Sequence, residues 1–277
     1  MLTKKNSLLS SALALAMTLS AASIAMADGG GGGDWHDTIV YEFDLVSGGA
    51  ANPAVAKADL DYVTGMREHH AGALTMSQEY LAKGRNPVLR RMAGAIIANQ
   101  EYEIAVLDEV KRQVEQPPTV LVDFGATKLV RRPVATVGLE HQLAYVKAPP
   151  PTALDLWTTS GAVNEYDVRW AKAMIAHHQG ALDMARDYNA DPNGENSFLR
   201  NMNYDIVQDQ TYEIGLLESV IDRYPGDASA IKLDPSMVHG MSMHGAQGTM
   251  NHGTMKHDAM EHGAMGHDSM NHKTKAH

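Results

Sequence analysis

The chain repeats itself, and this internal duplication limits its possible folds more than any other feature. The run Met66-Arg67-Glu68-His69-His70-Ala71-Gly72-Ala73-Leu74-Thr75-Met76 returns 108 residues later as Met174-Ile175-Ala176-His177-His178-Gln179-Gly180-Ala181-Leu182-Asp183-Met184. A second stretch follows each copy. Leu89, Arg90, Met92, Ile96, Gln100, Tyr102, Glu103 and Ile104 match Leu199, Arg200, Met202, Ile206, Gln210, Tyr212, Glu213 and Ile214, now at an offset of 110. The second copy therefore has a connection two residues longer.

The break inside each copy is legible. Gly84-Arg85-Asn86-Pro87 places a glycine past a helix end, then an N-cap asparagine and a proline at the first helical position. Asp191-Pro192-Asn193-Gly194, with Asn196 in the place of Asn86, does the same in the second copy. Each copy reads as a helical hairpin, 57–83 with 87–114 and 162–189 with 197–223, closed by Pro225-Gly226. One hairpin cannot bury its apolar stripes alone, whereas two facing hairpins make a four-helix bundle. The expected fold class is all-α.

Around the repeats the chain divides further. Residues 1–27 have a basic start (Lys4, Lys5), an apolar stretch from Leu8 to Ile24 and the small-residue site Ala25-Met26-Ala27, the pattern of a secretory signal peptide cleaved after Ala27. Ser and Thr interruptions make that stretch weak as a membrane anchor. Residues 28–56 read as a flexible leader opening on five glycines, with a β-like run Thr38–Phe43 that has no obvious partner. The linker 115–161, with Pro117, Pro118, Pro133 and Pro149-Pro150-Pro151, reads as irregular or partly helical and long enough to cross between hairpins. The hairpins close at 224, and a segment of different composition fills 236–277.

That last segment has five Met-x-His units at a strict five-residue spacing: Met250 with His252, Met255 with His257, Met260 with His262, Met265 with His267 and Met270 with His272. Met237, His239, Met241, Met243 and His244 precede them. Met is its one large apolar side chain, so it cannot build a core and reads as a disordered metal-binding tail. An expression tag would be a plain His run. Thioether selects Cu(I), with Ag(I) as its mimic, while imidazole also accepts Cu(II), Zn and Ni.

At 100° per residue Met66, His69, His70, Ala73 and Met76 share a sector of about 120°, and Met174, His177, His178, Ala181 and Met184 repeat it. Gly72, Ala73, Gly180 and Ala181 leave room for a facing helix or an ion. On the second helices Met92 and Met202 share a face with Glu103 and Glu213. These carboxylates are expected to orient the histidines, since a ligating imidazole usually donates its other N–H to a carboxylate. Their alternative partners are Arg90 and Arg200. A Met stripe alone is as well explained by packing, but paired His flanked by Met in two copies point to metal.

The totals agree with this reading. There are 17 Met, 14 His and no Cys, so neither a disulfide framework nor a thiolate site is available. Thiols oxidise outside the cytoplasm, which leaves thioether and imidazole for a soft metal. The net charge of −10 argues against nucleic acid as a partner and suits cations.

The stretch Met174-x-x-His177-His178-Gln179-Gly180-Ala181-Leu182-x-Met184-Ala185, with Leu199, Arg200, Ile206, Gln210, Glu213 and Ile214, resembles the uncharacterised-domain family numbered 305, which includes CopM-type periplasmic copper-binding proteins. The resemblance covers both hairpins and neither the linker nor the tail. It implies a ferritin-like helical core whose metal is copper rather than silver, zinc or nickel. The first copy departs from the motif at Ala71 and Ser77 and carries the charged flank Arg67-Glu68, which implies a weaker or differently tuned first site.

The resulting expectation is a binding protein of the periplasm that sequesters or delivers Cu(I), with an export or delivery protein as a partner and no membrane anchor after cleavage. An oxidase on the same scaffold is the competing reading. A di-iron bundle needs Glu-x-x-His pairs, and the chain has none; it also lacks His-Glu-x-x-His. A cuprous oxidase could use the same Met/His sites. A structural module with incidental metal would be indifferent to loss of the paired His, and a histidine phosphotransfer bundle would lie on the wrong side of the membrane.

Overall fold

The computed structural model describes residues 38–47, 52–158 and 161–240. Residues 1–27, expected to be a signal peptide, and those from Met241 onward lie outside the described residues.

Asparagine caps set three of the four long helices and a capping box the fourth. Helix α1 (Pro53–Lys83) starts where Asn52 accepts a bond from the Ala54 amide, four residues earlier than the periodicity suggested. Asn86 and Asn196 each accept two amide bonds at the starts of α2 (Pro87–Val114) and α6 (Ser197–Ile221). Helix α5 (Glu165–Ala190) opens on a reciprocal box between Asn164 and Asp167. Short helices α3 (Leu139–Gln142) and α4 (Ala153–Thr158) lie in the linker.

The chain is mostly helical but not all-α, which corrects the expected class. Strands β1 (Thr38–Ser47), β2 (Thr119–Asp123) and β3 (Thr127–Val137) form an antiparallel sheet in the order β1-β3-β2. The partnerless β-like run finds its partner about ninety residues on, inside the supposedly irregular linker. Local periodicity cannot announce so distant a pairing. Pro133 is tolerated because it sits at a bulge: Val40 pairs with Ala135 and Tyr41 with Pro133, leaving Val134 extra.

The sheet is tied to the helices through buried polar groups. Thr136 Oγ1 and Gln113 Nε2 donate to Glu109 Oε1 at 2.5 and 2.8 Å, and the Ser197 amide donates to Glu42 Oε1 at 2.7 Å. All four long helices contribute to each of two buried apolar clusters, one at either end of the helices. Among the described residues no helix is long and apolar enough to cross a membrane.

Candidate metal centre

Helices α1 and α5 run antiparallel, and the repeat makes their contact nearly two-fold symmetric. Tyr80 donates to Asp167 at 2.6 Å and, at the other end, Tyr188 donates to Asp59 at 2.6 Å. Each pair is the other displaced by 108 residues. Tyr80 packs on Trp170 (ring centroids 4.4 Å apart), and the equivalent Tyr188 packs on Tyr62 (4.5 Å). Trp170 Nε1 donates to the Met76 carbonyl at 3.0 Å. Asp59, Asp167, Tyr80 and Tyr188 escaped the sequence reading, although extending the 108-residue comparison outward from the His pairs would have found them.

On the pseudo-two-fold axis lie His69 and His177, with ring centroids 3.8 Å apart. His70 and His178 flank them at about 6 Å. All four rings are at most 1% exposed. His177 Nε2 lies 3.0 Å from the His69 carbonyl, which can only accept, so the proton is on Nε2 and the lone pair on Nδ1. Burial, then the neighbouring His69 and His178, push the His177 pKa well below the ordinary imidazole range and keep it neutral.

The carboxylates reach the outer histidines. His70 Nε2 is 2.8 Å from Glu103 Oε2, and His178 Nε2 is 2.7 Å from Glu213 Oε2. These are ion-pair distances, but the ring N–H is turned away from the oxygen, and neither contact is a well-aligned hydrogen bond. The Nδ1 atoms of His70, His177 and His178 are buried without a hydrogen-bond partner. Arg90 and Arg200 are engaged elsewhere: Arg90 donates to the Leu81 and Gly84 carbonyls and Arg200 to that of Gly194.

The six helical methionines fall into two sets, one on either side of the histidines. Met76, Met92 and Met174 belong to one buried cluster; Met66 belongs to the other, with Met184 and Met202 packed against it. Each set draws on both hairpins, and the 108–110-residue offsets exchange the sets. Met184 Cε approaches α1 so closely that a Cβ on Gly65 would lie 3.1 Å from it.

Gln100 and Gln210, one turn before Glu103 and Glu213, are 3% exposed, and each has an Oε1 without a hydrogen-bond partner. Among the described residues no three His, Asp or Glu side chains converge in a metal-holding group.

The space left by Gly72 is filled by main chain from beyond α6. After α6 the chain runs back along the helices, held by Lys172 Nζ on the Ala228 and Ile231 carbonyls (2.6 and 2.7 Å). The His239 carbonyl packs where a Gly72 Cβ would stand, 2.5 Å away. Gly240, at φ +75°, rests on the Glu68 and His69 backbone.

Of the ligands expected in the last segment, the structure places two. Met237 packs against the cluster of Met76, and His239 Nε2 lies 3.6 Å from Glu79 Oε1. The others lie outside the described residues: Met241, Met243 and His244, and all five Met-x-His units, namely Met250 and His252, Met255 and His257, Met260 and His262, Met265 and His267, and Met270 and His272.

These features define a duplicated helical protein with a buried, two-fold-related imidazole cluster between methionine-lined cores. The family model described as a domain of unknown function (DUF305) matches residues 59–221 and 167–276, and the chain belongs to that family. No curated protein matches it. It is similar to solved structures of CopM. The Ag-bound form (by soaking) has 24% identity and a TM-score of 0.40, over 61% of this chain and 97% of that one. The Cu(I)-bound form has 22% identity and a TM-score of 0.37, over 61% and 98%. The Cu(II)-bound form has 24% identity and a TM-score of 0.37, over 58% and 93%.

Proposed function

We propose that this chain is a periplasmic copper-binding protein that sequesters or delivers Cu(I), using a ferritin-like four-helix bundle and a Met/His-rich tail. One observation carries the reading: His69 and His177 meet at 3.8 Å in a buried core, between two sets of three methionines. Neutral imidazole and thioether are ligands for a soft ion. Burying a monovalent ion among neutral ligands costs far less than burying a divalent one. Glu103 and Glu213 supply compensating charge 2.8 and 2.7 Å from the outer rings. The arrangement suits Cu(I), and Ag(I) as its mimic, better than Zn, for which no three His, Asp or Glu side chains converge among the described residues, or a di-iron pair, which calls for more carboxylates.

In this reading Met66, Met76, Met92, Met174, Met184 and Met202 join His69, His70, His177 and His178 in holding the ion. The tail gathers ions from outside, with Cu(II), Zn or Ni able to occupy its histidines. Function is binding and ligand exchange, without a catalytic cycle, and metal passes to an export or delivery partner.

The test is an anaerobic Cu(I) titration of the full chain against a chromophoric chelator. It compares wild type, a variant with His69, His70, His177 and His178 changed to Asn, and a variant with the tail Met and His from Met250 to His272 changed to Ser. Tight binding that survives the tail change and vanishes with the four-His change supports the reading. Tight binding lost with the tail alone sinks the bundle assignment. Oxygen uptake on adding Cu(I) would move the protein to the oxidases.

A further inference from the structure

The four repeat histidines are at most 1% exposed, so an ion reaches them only when a wall moves. Helices α1, α2, α5 and α6 are long and regular. Across α2 and α6, however, runs a segment without helix or strand, residues 145–151, fastened to those two helices through their side chains.

Its attachments sit at repeat-equivalent positions. On α2, Asn99 Oδ1 accepts from the Ala148 amide (2.9 Å) and the Tyr145 hydroxyl (2.8 Å), and Asn99 Nδ2 donates to the Ala148 carbonyl (2.9 Å). Tyr145 stacks on Tyr102, ring centroids 3.8 Å apart and nearly parallel. On α6, the counterpart of Asn99 is Asp209, which binds Lys147 Nζ at 2.5 Å. The counterpart of Tyr102 is Tyr212, which donates to the Pro151 carbonyl at 3.3 Å.

Glu103, the carboxylate beside His70, follows Asn99 by one helical turn on α2 and is near enough for its charge to act on the segment. Burial first and Glu103 second raise the Tyr145 phenol to about 12. Partial burial works against the Lys147 ammonium, but Asp209, Asp205 and Glu103 outweigh it and raise its pKa. The residue before the segment, Ala144, has φ +48°, a left-handed conformation that costs a non-glycine residue energy and that opening would relieve. Pro149-Pro150-Pro151 stiffens the far end so that the segment moves as a unit.

We propose that Tyr145–Pro151 is a strap that closes the α2–α6 face over the His70–Glu103 pair and sets the rate at which cations exchange with the buried histidines. Lys147 is part of the device. Its tethered ammonium occupies the acidic mouth made by Asp209 and Glu103, and an entering cation must displace it. Side-chain clasps break locally at far lower cost than a long helix unwinds, so the strap gives way before the helices do. The cargo in this proposal rests on the metal-binding reading above; the closure of the strap does not.

The experiment uses the full chain as wild type, as Asn99→Ala/Lys147→Ala and as Tyr145→Ala, with folding checked by circular dichroism. Stopped-flow Cu(I) uptake and release are measured alongside carbethoxylation of His70 by diethyl pyrocarbonate, located by mass spectrometry. The modification reports access to the ring whether or not metal binds. Both variants should speed uptake, release and His70 modification together by roughly tenfold, the scale of one or two lost hydrogen bonds in the closed state, with Kd within about twofold. Faster modification without any Cu(I) binding would sink the metal reading and keep the strap. Unchanged modification and exchange rates would overturn the strap, and so would a weakened Kd at unchanged uptake rate. If one variant misfolds, the other decides.

Discussion

The Tyr188 hydroxyl donates a 2.6 Å hydrogen bond to Asp59, a fully buried carboxyl whose second partner, Asn196 Nδ2, is 3.4 Å away. Burial outweighs these bonds and the nearby Arg132 and raises the Asp59 pKa from 3.8 to about 6. Between those values the folded protein keeps a proton that the unfolded chain has released. This group's contribution is therefore most favourable below pH 4 and declines as pH rises to 6, by on the order of 3 kcal/mol. Asp59→Asn should lose that decline. In urea unfolding at pH 4, 5 and 6.5, the variant's stability relative to wild type should rise with pH. A pH-independent difference would show that Asp59 is ionised throughout.

The methionines separate ligand from packing. Met76→Leu and Met174→Leu conserve volume and should cost less than about 1.5 kcal/mol each, whereas Met76→Ala should cost about 2–5 kcal/mol by leaving a cavity. If the thioethers hold Cu(I), the leucine variants stay folded but bind it more weakly in the chelator competition. Unchanged affinity in the double leucine variant would make these residues core and nothing more.

Glu213→Gln keeps the shape beside His178 and removes the charge. Loss of a carboxylate that orients a ligating imidazole typically weakens metal binding about 10–100-fold. That loss should appear in Kd with thermal stability of the metal-free protein nearly unchanged. The Glu103→Gln effect should be the smaller, because Glu103 is the more exposed of the two (18% against 6%) and better screened by water.

Gly72→Ala reverses a familiar sign. In an open helix interior the change gains about 1 kcal/mol. Here the new Cβ would stand 2.5 Å from the His239 carbonyl and would push the 237–240 segment off α1. Amide exchange at Val238–Gly240 should accelerate, and the melting temperature should fall rather than rise.

Much of the helical frame could be read from the chain because its signals are local. The N-cap asparagines Asn86 and Asn196, each followed by a turn of apolar residues, act within a few residues of themselves. The duplication announces two equivalent hairpins. The His70–Glu103 and His178–Glu213 contacts lie 2.8 and 2.7 Å apart where periodicity had placed the pairs on facing stripes. The sheet was not legible in the same way. Thr38–Phe43 looks like a strand by composition, but its partner lies beyond two complete helices, and the prolines of the linker disguised β3. Asn99, an ordinary member of the α2 stripe, gains its role from a backbone segment almost fifty residues downstream.

The sequence by itself determined the two helical hairpins, the chemistry of their paired imidazoles and thioethers, and the exclusion of thiolate sites, because periodicity, capping and residue type are properties of short stretches. Tertiary structure alone decided that α1 and α5 meet antiparallel with His69 on His177, that the methionines sort three and three, and that a linker strap and the run-back segment ending at Gly240 wall the histidines in. Those relations join residues about fifty to 170 positions apart, and only the packing of whole helices brings them within bonding distance.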